Sequence, residues 1–438
     1  MNIVFLYNVR RSNKDSIEFK NQLDRDFDDP ITTKWQIKHL KSLGYNIIPI
    51  EANEKAYFKL FRLRNKIDLV FNVAEGIYGK DRELQMPAML EMLQIPYTGS
   101  SPLTHAFSLN KEKAKEIFIA NNIPTADFQT IDNINFKLKK ELKFPLIVKP
   151  VAEGSSIGIT NDSVVYNEIN LKKQVKKILT IFKEPALIEP FLEGREFSIA
   201  MLGNPPKILP IIESNHKILP KKYLPFDSYE VKWFFEEEGN GDYLICPAKI
   251  NKELEKKIKD ICYKVWKVLN VVDWCRIDIR CDKYDNPFVL EINSPAGITP
   301  PEVSMTSYFP LAARKGGIDY ESLLDKIIKT ALRRYKKSGL FTKKYGLIFK
   351  GSAASAPTHS QRHLHTRLSA SLMFHARDFC SATAEQIRHS TYVLPKYPQD
   401  TLSSTRSFQY WSFIFPPLHL AKSFLIASYF LCNMFLVV

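Results

Sequence analysis

A chain of 438 residues is long enough for two or three domains with cores of their own, and 45% hydrophobic and 25% charged residues is a globular composition, not a disordered or fibrous one. The 62 basic and 47 acidic side chains leave a formal charge of +15. That permits an anionic partner such as a nucleotide, a nucleic acid or a membrane surface but selects none, and a surplus of solvated lysines is the simplest account.

In chain order, "MNIVFLYNVRR" has a short apolar run ahead of its positive charges, the reverse of a signal peptide, and reads as a first strand over Ile3–Tyr7. A helix over Thr32–Leu43 follows, with Ile37, Leu40 and Leu43 apolar and Gly44 as its stop, then strands at Asn46–Ile50 and Ile67–Asn72 and a helix over Glu83–Leu93. This alternation predicts a small parallel α/β domain. A second unit opens at Asn110, the N-cap of a helix over Lys111–Asn121, and continues through a strand at Phe144–Val151 and an amphipathic helix at Leu171–Phe182. A third holds "ALIEPFLEGREFSIAML", a helix over Lys252–Leu269 with Leu254, Ile258, Ile261, Val265 and Leu269 on one stripe, a hairpin, and a closing helix near Tyr320–Tyr335. Residues 351–438 differ in composition: they hold six of the nine histidines and end in an uncharged run of 16 residues after Lys422. That run is shorter than the roughly 20 apolar residues of a membrane span, so the tail reads as a disordered or unrelated appendage, with a tail anchor as the lesser option. Its histidines read as solvated loop residues. The cysteines, Cys246, Cys262, Cys275, Cys281, Cys380 and Cys432, include no Cys-x-x-Cys pair and read as reduced thiols of a cytoplasmic protein.

The hairpin "RIDIRCDKYDNPFVLEINS" carries the strongest chemical signal. With strands at Arg276–Cys281 and Phe288–Asn293, and Cys281 opposite Phe288, Asp278 faces Glu291 and Arg276 faces Asn293, all on one face. Opposed carboxylates repel, and a divalent cation between them removes the repulsion. The oxygen donors of Asp278, Glu291 and Asn293 suit one or two magnesium ions, or manganese, completed by water and phosphate oxygens, with Arg276 as a phosphate donor. The competing account is a surface ion network in which Arg276 neutralises one acid. In "VKPVAEGSSIGI", Lys149 leads into a Gly/Ser turn whose backbone N–H groups and hydroxyls (Ser155, Ser156) could cover an anion, although most such turns are plain hairpin turns. In "LIEPFLEGREF", Pro190 is expected to break strand pairing after Glu189 and free backbone for a base between Phe191 and Leu192; without context it is an interdomain connector. Basic segments such as "NLKKQVKK" lack interleaved aromatics, so no nucleic-acid partner is expected.

The order of these motifs, with "IPYTGSSPLTHAFSLNK", "YEVKW", "WCRIDIR" and "VLEINSPAGIT", resembles the D-alanine–D-alanine ligase family of the ATP-grasp superfamily from about Ile67 to Leu332. The resemblance implies an α/β, three-domain ATP-grasp architecture, divided here as 1–104, 105–192 and 193–345 before the tail. It implies ATP and magnesium as cofactors and an ADP-forming carboxylate–amine ligase of cell-wall precursor synthesis. Lys111 and Lys149 fall at its nucleotide-contacting lysines, Ser155 and Ser156 at its phosphate-covering loop, and Glu189, Phe191, Leu192 and Glu196 around adenine and ribose. Lys232 falls at a further phosphate contact, Asp278, Glu291 and Asn293 at its magnesium ligands, and Arg276, Ser155 and Gly297 at catalytic positions. Family members often dimerise, so a homodimer is an option. The departures lie in the amino-acid pocket. "YNVRRSNKDS" has no counterpart of the family's glycine-rich, glutamate-containing motif, Glu75 replaces a histidine, Trp233 a tyrosine, and the serine matching Ser307 lies beyond an insertion. Two further readings therefore stand beside the first: a ligase for other amino acids or peptides, and an ATP-binding module without ligase activity.

Overall fold

A parallel strand covered on both faces shows no polar side, and Ile3, Val4, Phe5 and Leu6 are all buried. In the computed structural model, which describes residues 1–11, 24, 26–236 and 242–338, they form the strand β1 (Asn2–Tyr7). It lies between β2 (Asn46–Glu51) and β3 (Leu69–Asn72), parallel to both, as the alternation predicted. Ile3 and Phe5 pack with Leu40 of helix α1 (Pro30–Ser42). Val4 and Leu6 pack with Leu60 of α2 (Ala56–Leu63) and Leu90 of α3 (Gln85–Met92). Gly44 follows α1 at φ +82, the left-handed geometry that suits a helix stop.

After α4 (Pro102–Leu109), Asn110 caps α5 (Lys111–Ala120) by accepting from the Lys113 N–H at 3.1 Å, as predicted. The antiparallel sheet that follows has the order β4 (Gln129–Ile131), β7 (Ala186–Pro190), β5 (Leu146–Pro150), β6 (Val164–Val165). Helix α6 (Glu168–Ile181) covers it with Leu171, Val175 and Ile178. Pairing does not stop at Glu189: Pro190 still faces Leu146, and the Phe191 N–H donates to the Pro145 carbonyl at 3.0 Å. A proline on an antiparallel strand loses only its own donor, so the ladder survives one residue further than the sequence suggested.

The largest sheet runs β11 (Leu244–Ile245), β10 (Ile212–Ser214), β8 (Glu196–Leu202), β12 (Trp274–Cys281), β13 (Pro287–Asn293), with β9 (Lys207–Ile208) on β8. The predicted stripe of α7 (Lys252–Val268) packs on Ile277 and Ile279 of β12. Helices α8 (Tyr308–Lys315) and α9 (Tyr320–Lys337) close the described chain. The calls on residues 351–438, Cys380 and Cys432 among them, lie outside the described residues.

Gly76, next to Glu75, sits where the chain passes close to the Arg82 backbone. Its φ is +90, and a Cβ there would stand 2.0 Å from the Arg82 carbonyl oxygen. Gly76→Ala is expected to cost at least about 1–3 kcal/mol, read as a lower unfolding midpoint, because backbone strain and a backbone clash coincide.

Candidate active site

The hairpin of β12 and β13 pairs Arg276 with Asn293 and Asp278 with Glu291, as predicted, but Cys281 faces Pro287 and Arg280 faces Phe288. The register shifts just after Asp278, leaving Leu290 as one extra residue on β13. A bulge lets neighbouring residues share a direction that strict alternation forbids, and Leu290 and Glu291 line the same cavity.

The opposed carboxylates are each matched by a cation. The Arg276 guanidinium forks onto Asp278, with Nε at 2.9 Å and Nη2 at 2.8 Å, while Asn293 Nδ2 donates at 3.1 Å and Ser198 Oγ at 2.6 Å. Lys111 Nζ stands 3.3 Å from Glu291. Burial pushes the Glu291 carboxyl up, but Lys111, Lys232, Arg276 and Lys149 outweigh it and hold the group at about 2. Glu291 is therefore an anion at neutral pH. Two carboxylates and an amide oxygen, with positive charge already drawn to them, form a donor set that fits magnesium.

The second cluster is buried deeper. Lys149 is 6% exposed, so it is not a solvated strand lysine. Glu189 forms an ion pair with it and with Lys115, whose Nζ lies 3.0 Å away and also donates to Thr125 at 2.7 Å. Burial raises the Glu189 carboxyl, and the two lysines overcome this to hold it at about 2, below its ordinary 4.5. A folded value below the unfolded one means that the contribution is complete above the ordinary value of 4.5 and is lost as pH falls toward 2. Glu189→Gln is expected to flatten that part of the acid-unfolding profile, measured as denaturation midpoints at a series of acidic pH values.

Lys149 leads into the Gly/Ser turn, where Ser155 (φ +50) and Ser156 (φ +57) both hold left-handed backbone. Such conformations in residues other than glycine cluster at ligand clamps. Ser156 Oγ donates to the Asp227 carbonyl at 2.9 Å, and Trp233 Nε1 donates to the Ser155 carbonyl at 3.1 Å, so Trp233 braces the turn.

Two cavities sharing Lys232 and Glu291 collect every site residue predicted from the sequence. The smaller is lined by Lys149, Ser156, Glu189, Phe191, Leu192, Glu196 and Asp278. The larger, about 530 Å³, is lined by Lys111, Ser155, Arg276, Asn293 and Gly297 together with Glu75, Trp233 and Ser307.

Sequence reasoning missed several residues in these cavities or packed behind them. Lys115 lies one turn after Lys111 on the same helix face, a spacing that could have marked it. Arg280 continues the Arg276–Asp278 alternation; it pairs with Glu196 at 2.5 Å, donates to the Pro225 carbonyl at 2.6 Å and stands 4.9 Å over the Phe191 ring. Tyr308 sets its ring 5.2 Å from the Arg276 guanidinium and donates its hydroxyl to Asp227 at 3.0 Å. The glutamate absent from "YNVRRSNKDS" has acidic company later in the chain, because Asp26, Asp28 and Asp29 line the larger cavity.

Residues 117–329 match the family described as the D-Ala–D-Ala ligase C-terminus. The chain is 34% identical over 304 residues to a D-alanine–D-alanine ligase of Carboxydothermus hydrogenoformans, covering 67% of this chain and 90% of that protein. It is 36% identical over 273 residues to an uncharacterised protein of Sinorhizobium fredii, covering 62% of this chain and 77% of the relative. The crystal structure of the Bacillus anthracis D-alanine–D-alanine ligase complexed with ATP superposes with a TM-score of 0.59 at 25% identity, covering 77% of this chain and all of that one. The fold is thus ATP-grasp, and the chain belongs to the D-alanine–D-alanine ligase family.

Proposed function

We propose that this protein is an ATP-dependent, ADP-forming ligase that joins two molecules of D-alanine. The observation that carries this reading is the convergence of Lys111, Lys232, Arg276, Glu291 and Gly297 on one cavity that adjoins the one holding Lys149, Glu189 and Glu196. The division near residues 104, 192 and 345 into a substrate portion and two nucleotide-gripping portions belongs to the same proposal. It is supported by the separate sheets before and after the segment 191–195. A cytoplasmic location does too, and no described helix is long and apolar enough to cross a membrane.

In this reading Leu192, Phe191 and Leu290 wall the adenine, Glu196 takes the ribose, and Lys111, Lys149 and Lys232 hold the phosphates. Asp278, Glu291 and Asn293 would hold magnesium, which when bound offsets the charge of the triphosphate. A carboxylate oxygen of the first amino acid attacks the γ-phosphorus, the bond to the β-phosphate oxygen breaks, and ADP leaves with that electron pair. The second amino acid's amine, after losing a proton, attacks the acyl phosphate carbon. The oxyanion that develops lies with Arg276 and the Gly297 N–H, and its collapse expels inorganic phosphate. Ser155 covers the transferring phosphoryl group, Tyr308 positions Arg276, and Ser307 lies with the second carboxylate.

The test is product analysis with the full chain, Mg·ATP and D-alanine. One ADP and one phosphate per D-alanyl-D-alanine supports the reading. ATP that binds without any amino-acid-dependent turnover would instead make the protein an ATP-binding module.

A further inference from the structure

Asp227 lines the smaller cavity, is buried, and takes four side-chain donors on its two carboxylate oxygens. Oδ1 accepts from His216 Nε2 at 3.0 Å and from the Tyr243 hydroxyl. Oδ2 accepts from Ser214 Oγ at 2.9 Å and from the Tyr308 hydroxyl at 3.0 Å. A carboxylate offers about four lone-pair sites, so this one is saturated and has none to spare for a ligand. Glu196, His216 and Asp227 bring ligand atoms within 4.8 Å of one another, the spacing of a metal site. Arg280 already pairs with Glu196, however, and the Asp227 lone pairs are engaged, so hydrogen bonds account for this trio.

Burial raises the Asp227 carboxyl, but His216, Lys232 and Tyr243 outweigh it and hold the group below its ordinary range. Burial first, and then the Asp227 charge, push the Tyr243 and Tyr308 hydroxyls above theirs. The acid therefore stays an anion and the two phenols stay donors at neutral pH.

The donors lead to different places. His216 Nε2 stands 3.7 Å from Glu196, and the Tyr243 ring packs 5.7 Å from Phe235 and 6.2 Å from His216. Tyr308 opens α8 and turns its ring toward the reacting end, 5.2 Å from the Arg276 guanidinium and 5.8 Å from Lys232 Nζ. Both lie within the roughly 6 Å reach of a cation–π contact. Arg276 is also forked onto Asp278, so that carboxylate and the tyrosine ring set the guanidinium between them. The Asp227 backbone carbonyl accepts the Ser156 hydroxyl of the phosphate loop at 2.9 Å. Shortly after Asp227 comes the π-helical turn Val231–Phe235, which carries Lys232, a geometry frequent at functional sites.

We propose that Asp227 is a positioning residue of the ligation reaction, acting through the Tyr308 hydroxyl to fix the ring that holds Arg276 where charge develops. An anchored phenol cannot swing, so the guanidinium it faces is in place before the oxyanion forms. The inference rests on the ligase reading and deepens it by naming what orients the arginine.

The experiment uses the full chain with Mg·ATP and D-alanine, reading kcat and the KM for ATP from ADP release and stability from thermal unfolding. Tyr308→Phe and Tyr243→Phe each remove one donor from the same carboxylate, but only Tyr308 faces Arg276. Tyr308→Phe is expected to lower kcat by at least about tenfold with the KM for ATP within about threefold, the signature of a misplaced reacting group. Tyr243→Phe is expected to lower the unfolding midpoint and leave kcat within about twofold, since no reacting group is displaced. Asp227→Asn should lower kcat as Tyr308→Phe does, and the double variant Asp227→Asn/Tyr308→Phe should be no slower than the slower single one, because the two act in one chain. Equal kcat in the two tyrosine variants overturns the inference even where Asp227→Asn fails to fold. So does a double variant whose loss is the product of the single losses. Either result leaves the ligase reading intact. No amino-acid-dependent ADP release by the unaltered chain overturns the ligase reading and the inference with it.

Discussion

Glu291→Gln is expected to lower amino-acid-dependent ADP release by at least about 100-fold at any magnesium concentration, with the fold intact. Disturbing even the outer-shell partners of a metal costs about 10–100-fold, and Glu291 is proposed as a direct ligand. The substitution keeps the shape and removes one negative charge. Glu291 faces Asp278 across the hairpin, lines both cavities and has Lys111 at 3.3 Å. Without its charge the site holds one carboxylate, and Arg276 already neutralises that one. Steady-state kinetics with a matched unfolding curve reads the effect. Turnover within a few-fold of the unaltered protein would remove Glu291 from the metal site and leave the hairpin as an ion network.

Glu189→Ala is expected to destabilise the fold by about 3–5 kcal/mol, the cost of breaking a buried ion pair by removing one partner. Lys115 is 1% exposed and Lys149 6%, so two ammonium groups would be left buried side by side with no ion-pair partner among the described residues. Lys115→Met should cost less, because Glu189 keeps Lys149 and Met fills a similar volume. Denaturant midpoints of the two variants separate these outcomes. Equal, small losses would show that water reaches the lysines and that Glu189 is a ligand contact more than a structural counter-ion.

The fold was legible wherever periodicity met burial. The two-face burial of β1 and the apolar stripe of α7 follow directly from their residues. The site was legible where like charges had to be explained, and the Asp278–Glu291 and Arg276–Asn293 pairs are where the sequence put them. The bulge at Leu290 left no mark, since "FVLEIN" alternates plausibly in either register. Lys115 was missed because a lysine on an amphipathic helix ordinarily faces water, and only the tertiary fold seals this one under Glu189. Asp26, Asp28 and Asp29 escaped because they lie well beyond β1, and no local pattern reveals that the chain returns them to the cavity.

The most direct measurement of the central claim follows oxygen. D-alanine labelled with ¹⁸O in its carboxylate is incubated with the protein and Mg·ATP, and the released phosphate is analysed by mass spectrometry. An acyl phosphate formed by carboxylate attack on the γ-phosphorus must carry one labelled oxygen into each phosphate, in step with the dipeptide. Unlabelled phosphate released with ADP would mean that water, not the amino acid, takes the phosphoryl group, and would contradict the ligase account.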